Sequence, residues 1–260
     1  MRQVPTYKII FNKPRENTFA LVIPVINEGP RILALLKRME VLQLSKICDV
    51  VIVDGGSNDN SLFDLDKLSV NTLLLKQGPG KLGSQLRCAY DFCLKRNYEG
   101  VITIDGNNKD DPAAVEGFIK KLQEGFDFVQ ASRFIKGGKG INTPFTREFA
   151  IKFIHSPLLS VASGFRWTDT TQGFRGYSRR LLKNEEIAIF RDIFKDYELL
   201  AYLNYIAPKL GFKCVEYPTQ REYPKGAIPT KISFLKGNLE VLVVLLKTIL
   251  GAYNIKRTKR

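Results

Sequence analysis

Short β-rich runs alternate with helix-period segments through the first half of the chain, and few architectures accept that order. "FALVIP" (Phe19 to Pro24) precedes a helical pattern carrying Ile32, Leu35, Leu36 and Met39, and "DVVIVD" (Asp49 to Asp54) follows. "VNTLLL" (Val70 to Leu75) leads into a helix with Leu86, Ala89, Tyr90 and Cys93. "GVITID" comes next, then a helix opening at Asp111-Pro112, an N-cap with proline at the first helical position, and "FDFVQASR" (Phe126 to Arg133) closes the half. Right-handed crossovers would make the sheet mostly parallel, so its strands share one carboxyl edge where Asn27, Glu28, Asp54 and Asp105 gather. Beyond Arg133 the pattern loosens: a Gly/Lys-rich loop (Lys136 to Gly140), a long helical stretch from about Thr146 to Ser163, the strand-like "GFRGYSR", a helix carrying "KDYELLAYLNYIA", and a final helix. No linker divides the chain, so the second half is expected to cover the site built by the first.

Composition bounds the partners. The 260 residues are 44% hydrophobic and 25% charged, enough for one large α/β domain. The net charge of +14 favours phosphate-bearing substrates, an anionic membrane or a polyanion. A nucleic-acid partner accounts for the charge but leaves carboxylates at strand ends unexplained. Cys48, Cys88, Cys93 and Cys214 match no CxxC metal pair and no export signal precedes them, so reduced thiols in cytoplasm are expected, and His155 is the single histidine. The apolar stretch Leu239 to Leu250, interrupted by Lys247, is too short to span a bilayer. With the basic "NIKRTKR" after it, it reads either as an amphipathic helix on an anionic membrane or as a core helix with a solvated tail.

The stretch "VITIDGNNKDDP" (Val101 to Pro112) runs a strand into Asp105 and then into a polar knot. Such a carboxylate either meets a ligand at the sheet edge or merely opens a turn, and these residues alone leave both readings open. "GPGKLG" (Gly78 to Gly83) fits the G-x-G-x-x-G pattern of a dinucleotide enzyme. A ribose-binding carboxylate needs no acidic company, however, whereas Asp105, Asn107, Asp110 and Asp111 crowd oxygen donors into one turn, as a divalent cation beside a diphosphate requires.

Taken in order, "VIPVINE", "IVDGGSNDNS", "TIDGNNKDDP" and "TDTTQGFRGYSR" resemble the P-x-x-N-E, D-D-G-S-x-D, D-x-D and S-D-x-T-x-G-F-R-x-Y motifs of family 2 glycosyltransferases. The pattern is similar to the polyprenyl-phosphate sugar transferases, the group that includes dolichol-phosphate mannose synthases, and covers most of the chain. The resemblance implies the α/β GT-A fold: residues 1–230 as one domain, with a nucleotide half over about 17–135 and an acceptor half over about 136–230. Residues 231–260 then form a C-terminal amphipathic helix and basic tail. It implies a metal-assisted, inverting sugar transfer from a nucleoside diphosphate sugar to a polyprenyl phosphate or cell-envelope glycan, on the cytoplasmic face of the membrane. A catalytically silent nucleotide-binding domain is the alternative, since fold does not establish activity.

By the same resemblance, Pro24, Asn27, Glu28, Asp54, Gly55, Ser57, Lys81 and Gly106 line the nucleotide. Asp105 and Asn107 hold Mg²⁺ or Mn²⁺ against the diphosphate, and Arg133 and Arg221 match basic positions used on phosphates. Gly55 stands where the D-D-G-S motif has its second aspartate, and Lys109 stands where a glutamine often helps hold the metal. If the acceptor is a hydroxyl, an inverting enzyme needs a general base, for which Glu198 of "KDYELL" is the first candidate and Asp169 of "TDTTQGF" the second. A lipid phosphate is already an anion and needs none.

Overall fold

The computed structural model describes residues 2–62, 65, 68–224 and 236–255. The strands are β1 (Tyr7–Asn12), β2 (Phe19–Val25), β3 (Asp49–Asp54), β4 (Thr72–Lys76), β5 (Gly100–Thr103), β6 (Phe128–Ser132), β7 (Lys139–Ile141), β8 (Arg175–Ser178), β9 (Cys214–Pro218) and β10 (Gln220–Glu222). The helices are α1 (Pro30–Val41), α2 (Leu82–Lys95), α3 (Val115–Gln123), α4 (Phe145–Ala150), α5 (Ser156–Ser163), α6 (Arg179–Lys183), α7 (Glu198–Lys209) and α8 (Lys236–Ile249). A π-helical turn, Ile151–His155, joins α4 to α5, so the helical stretch expected there is one rod with a wide turn in it.

Eight strands form one sheet in the order β1-β4-β3-β2-β5-β8-β6-β9, and β10 pairs with β7 beside it. The run β4-β3-β2-β5 is parallel, as is β6 with β9. β8 runs antiparallel between β5 and β6, and β1 runs antiparallel along β4. The sheet is thus mostly parallel, as expected, with two reversed strands. β2 and β3 read as nearly unbroken apolar runs because both of their faces are covered. On one face α1 and α3 bury Ile32, Leu35, Leu36, Met39, Phe118 and Ile119, and on the other α2, α5, α6 and α7 bury Leu86, Tyr90, Leu159, Leu181 and Tyr202. Pro30 opens α1, and Asp111 accepts from the Ala113 N–H ahead of α3. The four cysteines are free thiols.

α8 turns Leu245 and Thr248 inward against the body of the protein. Residues 225–235 and 256–260, which include the start of the expected docking stretch and most of the basic tail, lie outside the described residues. Among the described residues no helix is long and apolar enough to cross a membrane.

Candidate active site

The carboxyl ends of β2, β3 and β5 bring Pro24, Asn27, Glu28, Asp54, Gly55, Ser57, Asp105 and Gly106 to one edge. The loops after β2 and β3 are tied together: the Asn27 N–H donates to Ser57 Oγ at 3.0 Å, the Asn58 N–H to Asn27 Oδ1 at 2.9 Å, and the Gly29 N–H to Asp59 Oδ2 at 2.8 Å. Asp54 braces its own turn, accepting from the N–H groups of Gly56 and Ser57 and from Ser57 Oγ. Glu28 holds Arg31 at 2.9 Å. Gly55 has a steric reason. The buried Gln85 amide donates to the Val25 and Val53 carbonyls directly beneath it, and a Cβ at residue 55 would stand 3.0 Å from Gln85 Nε2. A second aspartate there would need the buried Gln85 amide to give way by a few tenths of an ångström. Lys81 stands at the N-terminal end of α2 with its exposed ammonium 3.3 Å from Asp196, so it pins the start of α2 to the segment before α7.

Asp105 leaves β5 against the backbone of Gly173, where any side chain would collide: a Cβ there would come within 2.2 Å of Asp105 Oδ1. The antiparallel β8 imposes this contact, because the segment leading into it must arrive at the edge where the parallel strands end. Arg221 donates to Asp105 Oδ2 at 3.1 Å and also to the fully buried Asp110. Asp111 is taken by its capping bond and by Arg38 at 3.0 Å. The reading of "DGNNKDDP" as a turn full of oxygen donors is therefore corrected: Asp110 and Asp111 face arginines. Asp105 remains, with the Asn107 carbonyl oxygen, which accepts from the Lys109 N–H at 3.1 Å. Among the described residues no group of three or more acidic, Cys or His side chains could hold a metal. One carboxylate and one amide oxygen fit a cation only if water and a diphosphate complete its shell, as Mg²⁺ allows.

Beside Asp105 lies a cluster of cations around Tyr223. Arg133 and Arg147 donate to the Tyr223 hydroxyl at 3.4 and 3.1 Å, and Lys109 Nζ stands 5.1 Å from its ring centre. Burial alone would push the Tyr223 hydroxyl up, but the charges of Arg221, Arg147 and Arg133 outweigh it and bring it down to about 8. Burial, together with Arg221 and Arg147, moves the Lys109 ammonium below its ordinary value. Arg133 is itself held by Asp169, with Nε at 2.7 Å from Oδ2 and Nη2 at 3.0 Å from Oδ1. β9 supports the arrangement through Glu216, which accepts from the N–H groups of Thr168 and Asp169. The sequence reading missed Arg147 and Tyr223.

The two base candidates differ in how the fold holds them. Asp169 is fully buried, accepts from Gln172 at 2.6 Å as well as from Arg133, and is held below the usual carboxylate range: burial would raise it, and the Arg133 charge with these bonds outweighs that. It orients Arg133 and has no basicity to spare for a hydroxyl. Glu198 opens α7 and accepts the Asp196 N–H at 2.6 Å, and its charge acts on Arg87, Asp196 and Tyr253. The neighbouring Tyr197 hydroxyl is pushed up by burial and by the charges of Asp196 and Asp105.

The family model described as "Glycosyl transferase family 2" matches residues 20–185. The chain is 25% identical over 221 residues to the polyprenol monophosphomannose synthase of Mycolicibacterium smegmatis, covering 81% of this chain and 80% of that protein. It is 24% identical over 201 residues to the undecaprenyl-phosphate mannosyltransferase of Micrococcus luteus, covering 76% and 80%. Its fold matches the glucosyl-3-phosphoglycerate synthase of Mycobacterium tuberculosis, crystallised with Mn²⁺, uridine diphosphate and glucosyl-3-phosphoglycerate. That match has a TM-score of 0.57 at 16% identity, over 90% of this chain and 78% of the other. With the family model matching well over half of the chain and an α/β sheet of the GT-A fold beneath it, the chain belongs to glycosyl transferase family 2, and it is a glycosyltransferase.

Proposed function

We propose that this enzyme moves a sugar from a nucleoside diphosphate sugar to a polyprenyl phosphate at the cytoplasmic face of a membrane. The observation that carries the reading is the cluster of Arg133, Arg147, Arg221 and Lys109 around Tyr223, next to Asp105. The donor lies across the ends of β2, β3 and β5, with its nucleoside on the Asn27, Glu28 and Asp54 loops and its diphosphate at Asp105. The acceptor phosphate sits on the arginines. As an anion it attacks the anomeric carbon without a general base, which agrees with Asp169 being sealed against Arg133. A single displacement inverts the anomeric centre. Arg221 touches Asp105 on the donor side and Tyr223 on the acceptor side, so it orients both reacting groups. Mg²⁺ or Mn²⁺, when bound, would rest on Asp105 and Asn107 and neutralise the leaving diphosphate.

Calorimetry with uridine and guanosine diphosphates, with and without Mg²⁺, tests the donor site. Metal binding is expected to be weak alone and stronger with nucleotide, by the same factor in both directions. Thermal unfolding at about a hundred times the dissociation constant is expected to gain roughly 2.7 kcal/mol. No response to any nucleotide would sink the proposal.

Tyr223 predicts a pH dependence. Its ionisation falls from the ordinary value near 10 to about 8, so above pH 8 a phenolate sits among the arginines and opposes an incoming phosphate. The KM for the acceptor is therefore expected to rise as pH passes through about 8. Tyr223→Phe is expected to flatten that limb, and an unchanged profile in the variant would assign the limb to another group.

A further inference from the structure

α4 carries Arg147 into the cation cluster and, on its other side, a row of aromatic rings into solvent. Phe145 is 80% exposed and Phe153 67%, and Phe149 stands between them with ring centres 6.4 and 4.9 Å away. The row continues in exposed apolar side chains along α5, where Leu158 and Val161 face solvent. α5 packs against α8, which is apolar on two sides: Leu245 faces inward, while Leu239, Leu242, Val243, Leu246 and Leu250 face out. Contiguous exposed apolar side chains mark an interaction surface, and among the described residues these five stay 39–82% exposed. Charges lie on the same elements: exposed Lys136 before β7, exposed Lys139 on β7, Lys152 on the π-helical turn paired with Glu148 of α4, and exposed Lys247 and Glu240 on α8.

We infer that the α4–α5 aromatic row and the outer stripe of α8 form one docking face for an anionic lipid leaflet. The inference rests on the lipid-phosphate reading of the site and deepens it. A polyprenyl phosphate keeps its headgroup at the surface of the leaflet, and a helix that lies on that surface with its rings down delivers Arg147 to headgroup depth. Rings and leucines supply burial in the acyl boundary, and the lysines supply attraction to acidic headgroups. The charge selects a leaflet over a second copy of this chain, because Lys136, Lys139 and Lys247 outnumber Glu240, Lys152 being offset by Glu148, and two such net-positive faces repel one another.

The test is co-sedimentation of the full-length protein with vesicles of phosphatidylcholine alone and of phosphatidylcholine mixed equally with phosphatidylglycerol. Binding is expected to the mixed vesicles and to weaken with salt. The variant Phe145→Ser/Phe149→Ser/Phe153→Ser is expected to lose about tenfold or more in partitioning, with nucleotide affinity unchanged, because these rings are exposed and fold-neutral. Leu246→Ser/Leu250→Ser is expected to weaken partitioning from the α8 side. Wild-type protein that ignores the mixed vesicles, or variants that partition like wild type, overturn the docking face. A wild-type dimer that the triple Phe variant converts to monomer assigns the face to a second copy and overturns it too. Vesicle binding without any nucleotide binding upholds the face while removing the proposed donor site, so the two failures are separable.

Discussion

Arg221→Ala is expected to lower stability by about 3–5 kcal/mol, the usual cost of leaving a buried charge without its partner. For a chain of this length that is a fall of roughly 10 °C in Tm. Asp110 is the reason: its side chain is 0% exposed and Arg221 is its ion-pair partner, while burial already pushes its carboxyl above the ordinary range. Without the guanidinium it rises further. A carboxyl raised in the folded state is destabilising when ionised, so the deficit is expected to shrink as pH falls and Asp110 takes up a proton. Arg221→Ala combined with Asp110→Asn is expected to recover most of the Tm but none of the transfer activity, since Asp105 and the acceptor phosphate still lack their shared arginine. Thermal unfolding across pH, set beside transfer assays on the same proteins, checks both halves. A single variant as stable as wild type would mean that Asp110 is protonated and unimportant.

Asp105→Asn is expected to act in the opposite sense, with a large loss of activity and little loss of stability. Its side chain is 26% exposed, and Arg221 keeps Asp110 when the charge at residue 105 is removed. Transfer is expected to fall on the order of a thousandfold, the scale seen when one preorganised charge contact to a transition state is deleted. Nucleotide affinity in the presence of Mg²⁺ is expected to fall with it, and the Tm to move by only a few degrees. Measuring sugar transfer to a polyprenyl phosphate and nucleotide affinity in parallel decides the matter. Full activity in the variant would return Asp105 to the role of an ordinary turn residue.

How much of this was legible differs from residue to residue. β2, β3 and β5 announce themselves as apolar runs, and the polar residues at their ends had to share an edge once the sheet was parallel. Arg133 and Arg221 were within reach through their motif positions. Arg147 was not: it lies on a helix among phenylalanines, and the pattern of an aromatic row with a basic residue between its members is as common on solvated helices. The fates of Asp105, Asp110 and Asp111 could not be told apart by residue type, because what separates them is Arg221, 111 residues from Asp110, and Arg38 on α1. Asp169 is unavailable as a base for the same reason, since partners brought in by the fold, Arg133 and Gln172, take up its carboxylate. β1 is an edge strand whose Ile9 and Ile10 face solvent, so it lacks the burial signature that marks the others.

The reversed strand β8 has a consequence for how the protein is made. Its Ser178 pairs with Gly100 and its Tyr177 with Phe128, so the gap between β5 and β6 stays open until the chain has been synthesised beyond residue 178. A nascent chain ending near residue 135 would present two raw strand edges, each a template for pairing with a neighbouring chain. Contacts of such long sequence separation also form late in folding. The nucleotide-facing segment expressed as an isolated fragment is therefore expected to pair with its neighbours and aggregate, and an acceptor segment grafted onto it has to bring a strand that fits this slot.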